Sequence, residues 1–270
     1  MTPYFRIPAQ AADAEVSEVP LPDFARDWAL FLDVDGTLVE LAEHPRAVHV
    51  EPRLIEELGR LQRLAEGAVA LVSGRSVGEL DRLFAPLHLA IAGQHGAELR
   101  HANGKTDLER PLIAAAAAAR RALAALAARN EGLYFEDKGV ALAVHYRRVP
   151  QLESLVERTI GEVARSSAGE FVMQQGKMVR ELVPHGKNKG GAIAQLMRES
   201  PFSGRIPIFV GDDVTDEEGF ALVGRLAGHA IKVGPGESAA PHRIANVRRV
   251  RSWLGSYADW LEKRKGKRRL

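Results

Sequence analysis

Short apolar runs recur along this chain, and segments of helical spacing lie between them. The runs are Trp28–Leu32, Ala68–Val72, Leu87–Ala92, Ile206–Val210 and Ala230–Val233. None is long, and none alternates with polar residues, which is the pattern of a strand buried on both faces. Pro52 opens a helix carrying Leu54, Ile55, Leu58, Leu61 and Leu64, and Gly67 ends it. Val77–Phe84 predicts a second helix, Ala192–Arg198 a third and the stretch from Trp253 to Lys263 a last one. Strands alternating with helices imply an α/β fold with a Rossmann-like, doubly wound parallel sheet. Leu99–Asp107, with Asn103-Gly104 at its centre, reads as a hairpin.

Between residues 109 and 185 the pattern changes. A helix rich in alanine runs from Pro111 to near Asn130. Leu133–Tyr146 then reads as strand, turn and strand, with the turn at Asp137-Lys138-Gly139. A helix over Gln151–Arg165 follows, and then strands Glu170–Gln174 and Met178–Val183 joined by Gly176-Lys177. A helix–hairpin–helix–hairpin block set inside an alternating chain predicts a separate, smaller α+β lid. The expected organisation is a core of residues 28–108 and 186–262, with the lid at 109–185. Residues 1–27, without periodicity, are expected to form a loose N-terminal arm. A basic tail, 263–270, carries six Lys and Arg and reads as a solubilising end.

Composition narrows the chemistry. The 270 residues are 46% apolar and 27% charged, and 37 basic against 35 acidic side chains leave a net charge of +2. That balance gives no general pull toward nucleic acid or membrane. No apolar run approaches the roughly 20 residues of a membrane span, and no signal-peptide pattern opens the chain, so a cytoplasmic protein is expected. The absence of cysteine excludes disulfides, thiolate metal sites and cysteine nucleophiles.

What the strands end in is less ordinary. Trp28–Leu32 ends in Asp33-Val34-Asp35-Gly36-Thr37, two carboxylates spaced to converge on one side of extended backbone. Like charges held that close require a cation, a shared proton or both. The second run ends in Ser73-Gly74-Arg75 before a helix, where Ser73 is either a helix cap or a phosphate ligand. The third ends in Gly93-Gln94-His95-Gly96-Ala97-Glu98, where His95 either meets substrate or fills the turn. Lys189 precedes Gly190-Gly191 at a helix start, a position the helix dipole disfavours for a cation unless an anion joins it. The fourth run ends in Gly211-Asp212-Asp213-Val214-Thr215-Asp216-Glu217-Glu218, with five carboxylates from Asp212 to Glu218. Oxygen-only donors of this kind suit Mg²⁺, although Glu217 and Glu218 also fit an ordinary acidic helix start. His44 and His49 are given no role.

The ordered set Asp33-x-Asp35, Ser73, Lys189 and Gly211-Asp212-Asp213-x-x-Asp216 resembles the four motifs of the haloacid dehalogenase-like phosphatase superfamily. The inserted block resembles that superfamily's C2-type cap. The run Gly93–Glu98, Glu136-Asp137-Lys138 and Arg180-Glu181-Leu182-Val183-Pro184 make the chain most similar to the trehalose-6-phosphate phosphatases, from roughly Ala29 to Leu254. Gln94 departs from the pattern, which more often has an apolar residue there. The resemblance implies a Mg²⁺-dependent phosphatase with Asp33 as nucleophile, Asp35 as general acid and base, and Ser73 and Lys189 on the phosphate. It assigns metal binding to Asp33, Asp35 (through its backbone carbonyl) and Asp212, with supporting roles for Asp213 and Asp216. For Asp216 these are orienting Lys189, contacting metal through water, or capping a helix. Substrate contacts are expected from Gly74, Arg75, His95, Glu136, Lys138 and Glu181. The expected partner is a small sugar phosphate, with no nucleic acid or membrane, on a monomer. Rival readings are a sucrose- or hexose-phosphate phosphatase, a phosphomutase and a non-catalytic sugar-phosphate sensor.

Overall fold

Trp28, Leu30 and Leu32 point to one side of the first strand, Ala29 and Phe31 to the other, and all five are buried. This strand is the centre of the computed structural model, which describes residues 19–42, 47–108 and 113–266. The elements run β1 (Trp28–Leu32), α1 (Pro52–Leu64), β2 (Val69–Val72), α2 (Val77–Phe84), β3 (Ala90–Gly93), β4 (Glu98–Arg100) and β5 (Thr106–Leu108). They continue with α3 (Ile113–Arg129), β6 (Tyr134–Asp137), β7 (Leu142–His145), α4 (Glu153–Ser166), β8 (Phe171–Gly176) and β9 (Val179–Pro184). The chain then forms α5 (Lys189–Leu196), β10 (Ile206–Gly211), α6 (Glu217–Arg225), β11 (His229–Val233), β12 (His242–Ile244) and α7 (Val247–Gly266).

Eight strands form one sheet in the order β12-β11-β10-β1-β2-β3-β4-β5. From β12 to β3 every pairing is parallel, and β4 and β5 add an antiparallel hairpin at the edge. The strands' period of two fills both faces. Val69, Leu71, Ile208 and Val210 join the face of Trp28, Leu30 and Leu32 with Leu54 and Leu58 of α1 and Leu254 of α7. Ala70, Phe209 and Ala230 join the opposite face with Ile193 of α5 and Phe220 of α6. The doubly wound α/β architecture expected from the runs is therefore present.

A second sheet, β6-β7-β9-β8, is wholly antiparallel. Leu142, Val144, Leu182 and Phe171 form its own core with Leu123 of α3 and Val156 and Ile160 of α4. Helices cover one face only, so the alternate residues of each strand point away from them.

Several boundaries differ from the sequence pattern. The third run begins pairing at Ala90 rather than Leu87, because only Ala90–Ala92 align with β2. Lys189 is the first residue of its helix rather than preceding it, with Asn188 as the cap. The last helix extends to Val247–Gly266, and β12 was not foreseen because His242–Ile244 is too short to register as an apolar run. Residues expected in a loose arm are in part core: Leu21, Phe24 and Ala25 pack inward. The Phe24 ring lies 5.7 Å from that of Trp28 and 5.2 Å from that of Tyr257. Of the expected basic tail, residues 263–266 continue the last helix, and the Arg264 guanidinium lies over the Trp260 ring. Residues 1–18, His44 and residues 267–270 lie outside the described residues.

The edge hairpin is pinned by buried His101, whose Nδ1 lies 2.5 Å from Glu199 and Nε2 2.9 Å from Asp107. Burial works against an imidazolium there, but the two carboxylates outweigh it and raise the His101 pKa. A raised folded pKa stabilises the fold fully below the unfolded value near 6.5, and that contribution is lost as pH rises through the folded value. The unfolding midpoint should therefore fall between about pH 6 and about pH 9 by more in the parent chain than in His101→Gln. Equal falls would remove the assignment.

Candidate active site at the strand ends

In-register parallel pairing decides which residues meet. Leu32 lies opposite Val210 on one side and Leu71 on the other, and Val72 lies opposite Ala92. Asp33, Asp212, Ser73 and His95 thus leave the sheet at one edge. β1 is also where the chain's progression reverses, with β2 and β3 to one side and β10, β11 and β12 to the other. Such a switch point opens a crevice at the carboxyl ends of the strands.

Asp33, Asp212 and Asp216 are buried there, with one carboxylate oxygen from each lying within 4.8 Å of the others. Burial raises the pKa of Asp33 despite the neighbouring Lys189, and Asp216 and Asp212 add to the rise. Burial likewise raises Asp212 against the opposing effect of Lys177. Lys189 places its Nζ 2.8 Å from Asp33 Oδ1 and 2.6 Å from Asp216 Oδ1. Burial opposes its charge, yet those carboxylates hold its pKa above the usual lysine value. The close approach also depends on Gly36 (φ +82°), where a Cβ would fall 2.2 Å from Asp212 Oδ2. Three buried, mutually repelling carboxylates with oxygen-only donors fit a hard divalent cation such as Mg²⁺.

The third acid of this group is Asp216, not Asp35. The Asp35 side chain instead receives Arg75 in a bidentate pair, Nε to Oδ2 at 2.6 Å and Nη2 to Oδ1 at 2.7 Å. That leaves Asp35 beside the group but outside it, and the expectation of a ligand there rests on its backbone carbonyl. Asp216 combines two of its three anticipated roles. It meets Lys189, and it accepts from the Asp213 backbone N–H at 2.9 Å within a capping box of a short turn. The capping alternative for Ser73 is overturned, because α2 is capped by Ser76 in a capping box with Glu79. Ser73 sits three residues earlier, buried, with its Oγ accepting from the Arg75 backbone N–H at 3.2 Å.

Above this edge lies the uncovered face of the second sheet. Glu136 pairs with Ala143 and Ala143 with Glu181, so two acids flank one small residue in a single row. Lys138 Nζ lies 2.5 Å from Glu181 Oε1 and 4.0 Å from Glu136 Oε2, and it donates to the Gly74 carbonyl at 2.9 Å. Glu181 also meets His95 Nε2 at 2.5 Å. Burial opposes the Glu181 charge, but Lys138 and His95 outweigh it and hold its pKa far below the usual carboxylate range. Against the same penalty, His145 and Lys138 lower Glu136, and Glu181 and Glu136 raise Lys138. Gln94 ties the two sheets further: its side-chain oxygen accepts from the Ala141 backbone N–H at 2.6 Å.

These groups line one cavity of about 160 Å³, which brings together Asp33, Asp35, Ser73, Gly74, Arg75, His95, Lys189 and Asp212. Glu136, Lys138 and Glu181 line it from the second sheet, and Asp213 at the rim. The sequence reading missed Lys177, His145 and Arg147, which also line it. The strand period offers a signal for His145, two residues on from Ala143 in β7, whereas Lys177 and Arg147 lie beyond the strand ends, where the alternation stops. Among the described residues no helix is long and apolar enough to cross a membrane.

A family model described as trehalose-phosphatase matches residues 31–249. The chain is 42% identical over 244 residues to a trehalose-6-phosphate phosphatase of Escherichia coli (strain K12), covering 90% of this chain and 91% of that protein. A crystal structure described as a trehalose-6-phosphate phosphatase related protein superposes with a TM-score of 0.73 at 27% identity, covering 87% of this chain and 99% of that one. A haloacid dehalogenase-like hydrolase from B. subtilis, 14% identical, shares the fold with a TM-score of 0.60, covering 84% of this chain and 98% of that one. The chain belongs to the trehalose-phosphatase family.

Proposed function

We infer that this chain hydrolyses trehalose 6-phosphate to trehalose and inorganic phosphate, and that Asp33 is the attacking group. The observation that carries the reading is that one cavity joins the Asp33–Lys189–Asp212 edge to the row containing Glu136 and Glu181. The first half handles an anion, and the second offers charged hydrogen-bond partners to a polyhydroxylated group.

Asp33, Asp212 and Asp216, with the Asp35 carbonyl, are the groups that would hold Mg²⁺. Bound there, the ion supplies charge neutralisation for a phosphoryl oxygen. The rest falls to the chain itself. Lys189 keeps Asp33 aimed and shares its charge with the phosphate, whose remaining oxygens meet the Ser73 hydroxyl. Asp33 attacks phosphorus and forms an aspartyl-phosphate. Asp35 gives a proton to the departing sugar oxygen, then takes one from the water that cleaves the aspartyl-phosphate. Arg75 fixes the orientation of Asp35 by two parallel bonds.

In this reading the second sheet acts as a cap over residues 28–108 and 186–262. Glu136, Lys138 and Glu181 bond sugar hydroxyls, and a substrate without those hydroxyls leaves them unpaired. The deciding experiment is phosphate release from a panel of sugar phosphates with and without Mg²⁺. Trehalose 6-phosphate should exceed glucose 6-phosphate by about 10² or more in kcat/KM, with turnover lost on removal of Mg²⁺. Comparable turnover of the two would remove the substrate assignment.

A further inference from the structure

Five lysine and arginine side chains line the cavity, Arg75, Lys138, Arg147, Lys177 and Lys189, and their partners distinguish them. Lys189 is shared between Asp33 and Asp216. Arg75 is engaged by both oxygens of Asp35. Lys138 bridges Glu181 and the Gly74 carbonyl. Lys177 shares with Lys189 a place on the carboxylates that fit a divalent ion, its ammonium bonding Asp212 Oδ2, but it reaches them from the second sheet. The Lys177 side chain is 45% exposed, whereas those of Arg75, Lys138 and Lys189 are 10% exposed or less. It is carried by the β8–β9 hairpin, where Met178 adopts a left-handed φ of 60° and closes the turn between Gly176 and Val179.

We propose that Lys177 is a phosphate ligand carried by the second sheet, released from Asp212 when a divalent ion takes that carboxylate and then drawn to an oxygen of the substrate's phosphoryl group. The proposal rests on the reading of the site as a Mg²⁺-dependent phosphatase. Its logic is electrostatic. A dication at Asp212 removes the charge that holds Lys177 and repels the ammonium as a like charge. A phosphate dianion arriving beside the ion restores an anionic partner within reach of the same side chain. Arg75, Lys138 and Lys189 remain committed to carboxylates that the ion does not need or shares with Lys189, and Arg147 lies against the Lys177 carbonyl at 3.5 Å. Lys232, close by, cannot substitute, because its Nζ is spent on the carbonyls of Asp212, Val233 and Pro235. Because Lys177 belongs to the second sheet, the phosphate receives its last cation only while that sheet sits over the edge. Substrate charge thereby favours the closed arrangement.

The test is calorimetric titration of the full chain in two stages, Mg²⁺ alone and then inorganic phosphate into the Mg²⁺-loaded protein. Lys177→Met should bind Mg²⁺ roughly three- to tenfold more tightly, since no ammonium must leave Asp212, and should bind phosphate roughly tenfold or more weakly. Lys177→Arg, which keeps a cation on the turn, should bind phosphate within about threefold of the parent. Parent-like phosphate affinity in Lys177→Met overturns the proposal, as does an unchanged Mg²⁺ affinity. A parent chain that takes up no Mg²⁺ overturns the ion site itself, and that failure is separable from one confined to Lys177→Met.

Discussion

Asp33→Asn should lower phosphate release from trehalose 6-phosphate by roughly four orders of magnitude or more, the scale on which removal of an attacking group is felt. The amide matches the carboxylate in shape but does not attack phosphorus. The fold should tolerate the change. Asp33 is buried among Asp212 and Asp216, and burial already pushes its pKa up, so the folded chain gives up little when that charge goes. Lys189 keeps its bond to Asp216 Oδ1. Circular dichroism and a thermal midpoint near the parent's should accompany the loss. A variant that folds and turns over at the parent rate would dismiss Asp33 as nucleophile.

The second large effect is expected at the opposite wall. Lys138→Met should cut kcat/KM for trehalose 6-phosphate by about 10² to 10³, while turnover of a small aryl phosphate falls far less. In the proposed function Lys138, between Glu181 and Glu136, bonds the sugar, whereas Ser73 and Lys189 hold the phosphate. The variant should also be less stable. Glu181 is buried and would lose its ammonium, keeping only His95, and breaking a buried ion pair costs about 3 kcal/mol. Pairing Lys138→Met with Glu181→Gln should recover much of that stability without restoring selectivity. Equal losses on both substrates would show that Lys138 serves the phosphate or the fold rather than the sugar.

The core was legible because its strands are buried on both faces and therefore read as unbroken apolar runs. Trp28–Leu32 was placed to the residue. The strand-end chemistry followed, since parallel strands in register deliver whatever comes after them to one edge. Less legible was anything set by tertiary contact alone. Phe24 lies in a stretch without periodicity, and the rings of Trp28, Trp253, Tyr257 and Trp260 give it a place. Ser73 and Ser76 both precede the same helix, and sequence alone does not say which one caps it. That the Asp216 carboxylate joins Asp33 and Asp212, while the Asp35 carboxylate is taken by the Arg75 guanidinium forty residues away, is set by the fold and not by the motif. Gln94, noted only as a departure from the family pattern, proves to be a buried bond between the two sheets. Lys177 was passed over as a turn residue, since nothing local to Gly176-Lys177 announces a carboxylate from another sheet.

The most direct measurement is mass spectrometry of enzyme rapidly acid-quenched during turnover of trehalose 6-phosphate with Mg²⁺, followed by peptide mapping. The account predicts one phosphoryl group on the peptide containing Asp33, absent from Asp33→Asn. A phosphoryl group on another residue, or none while turnover proceeds at the parent rate, would contradict it.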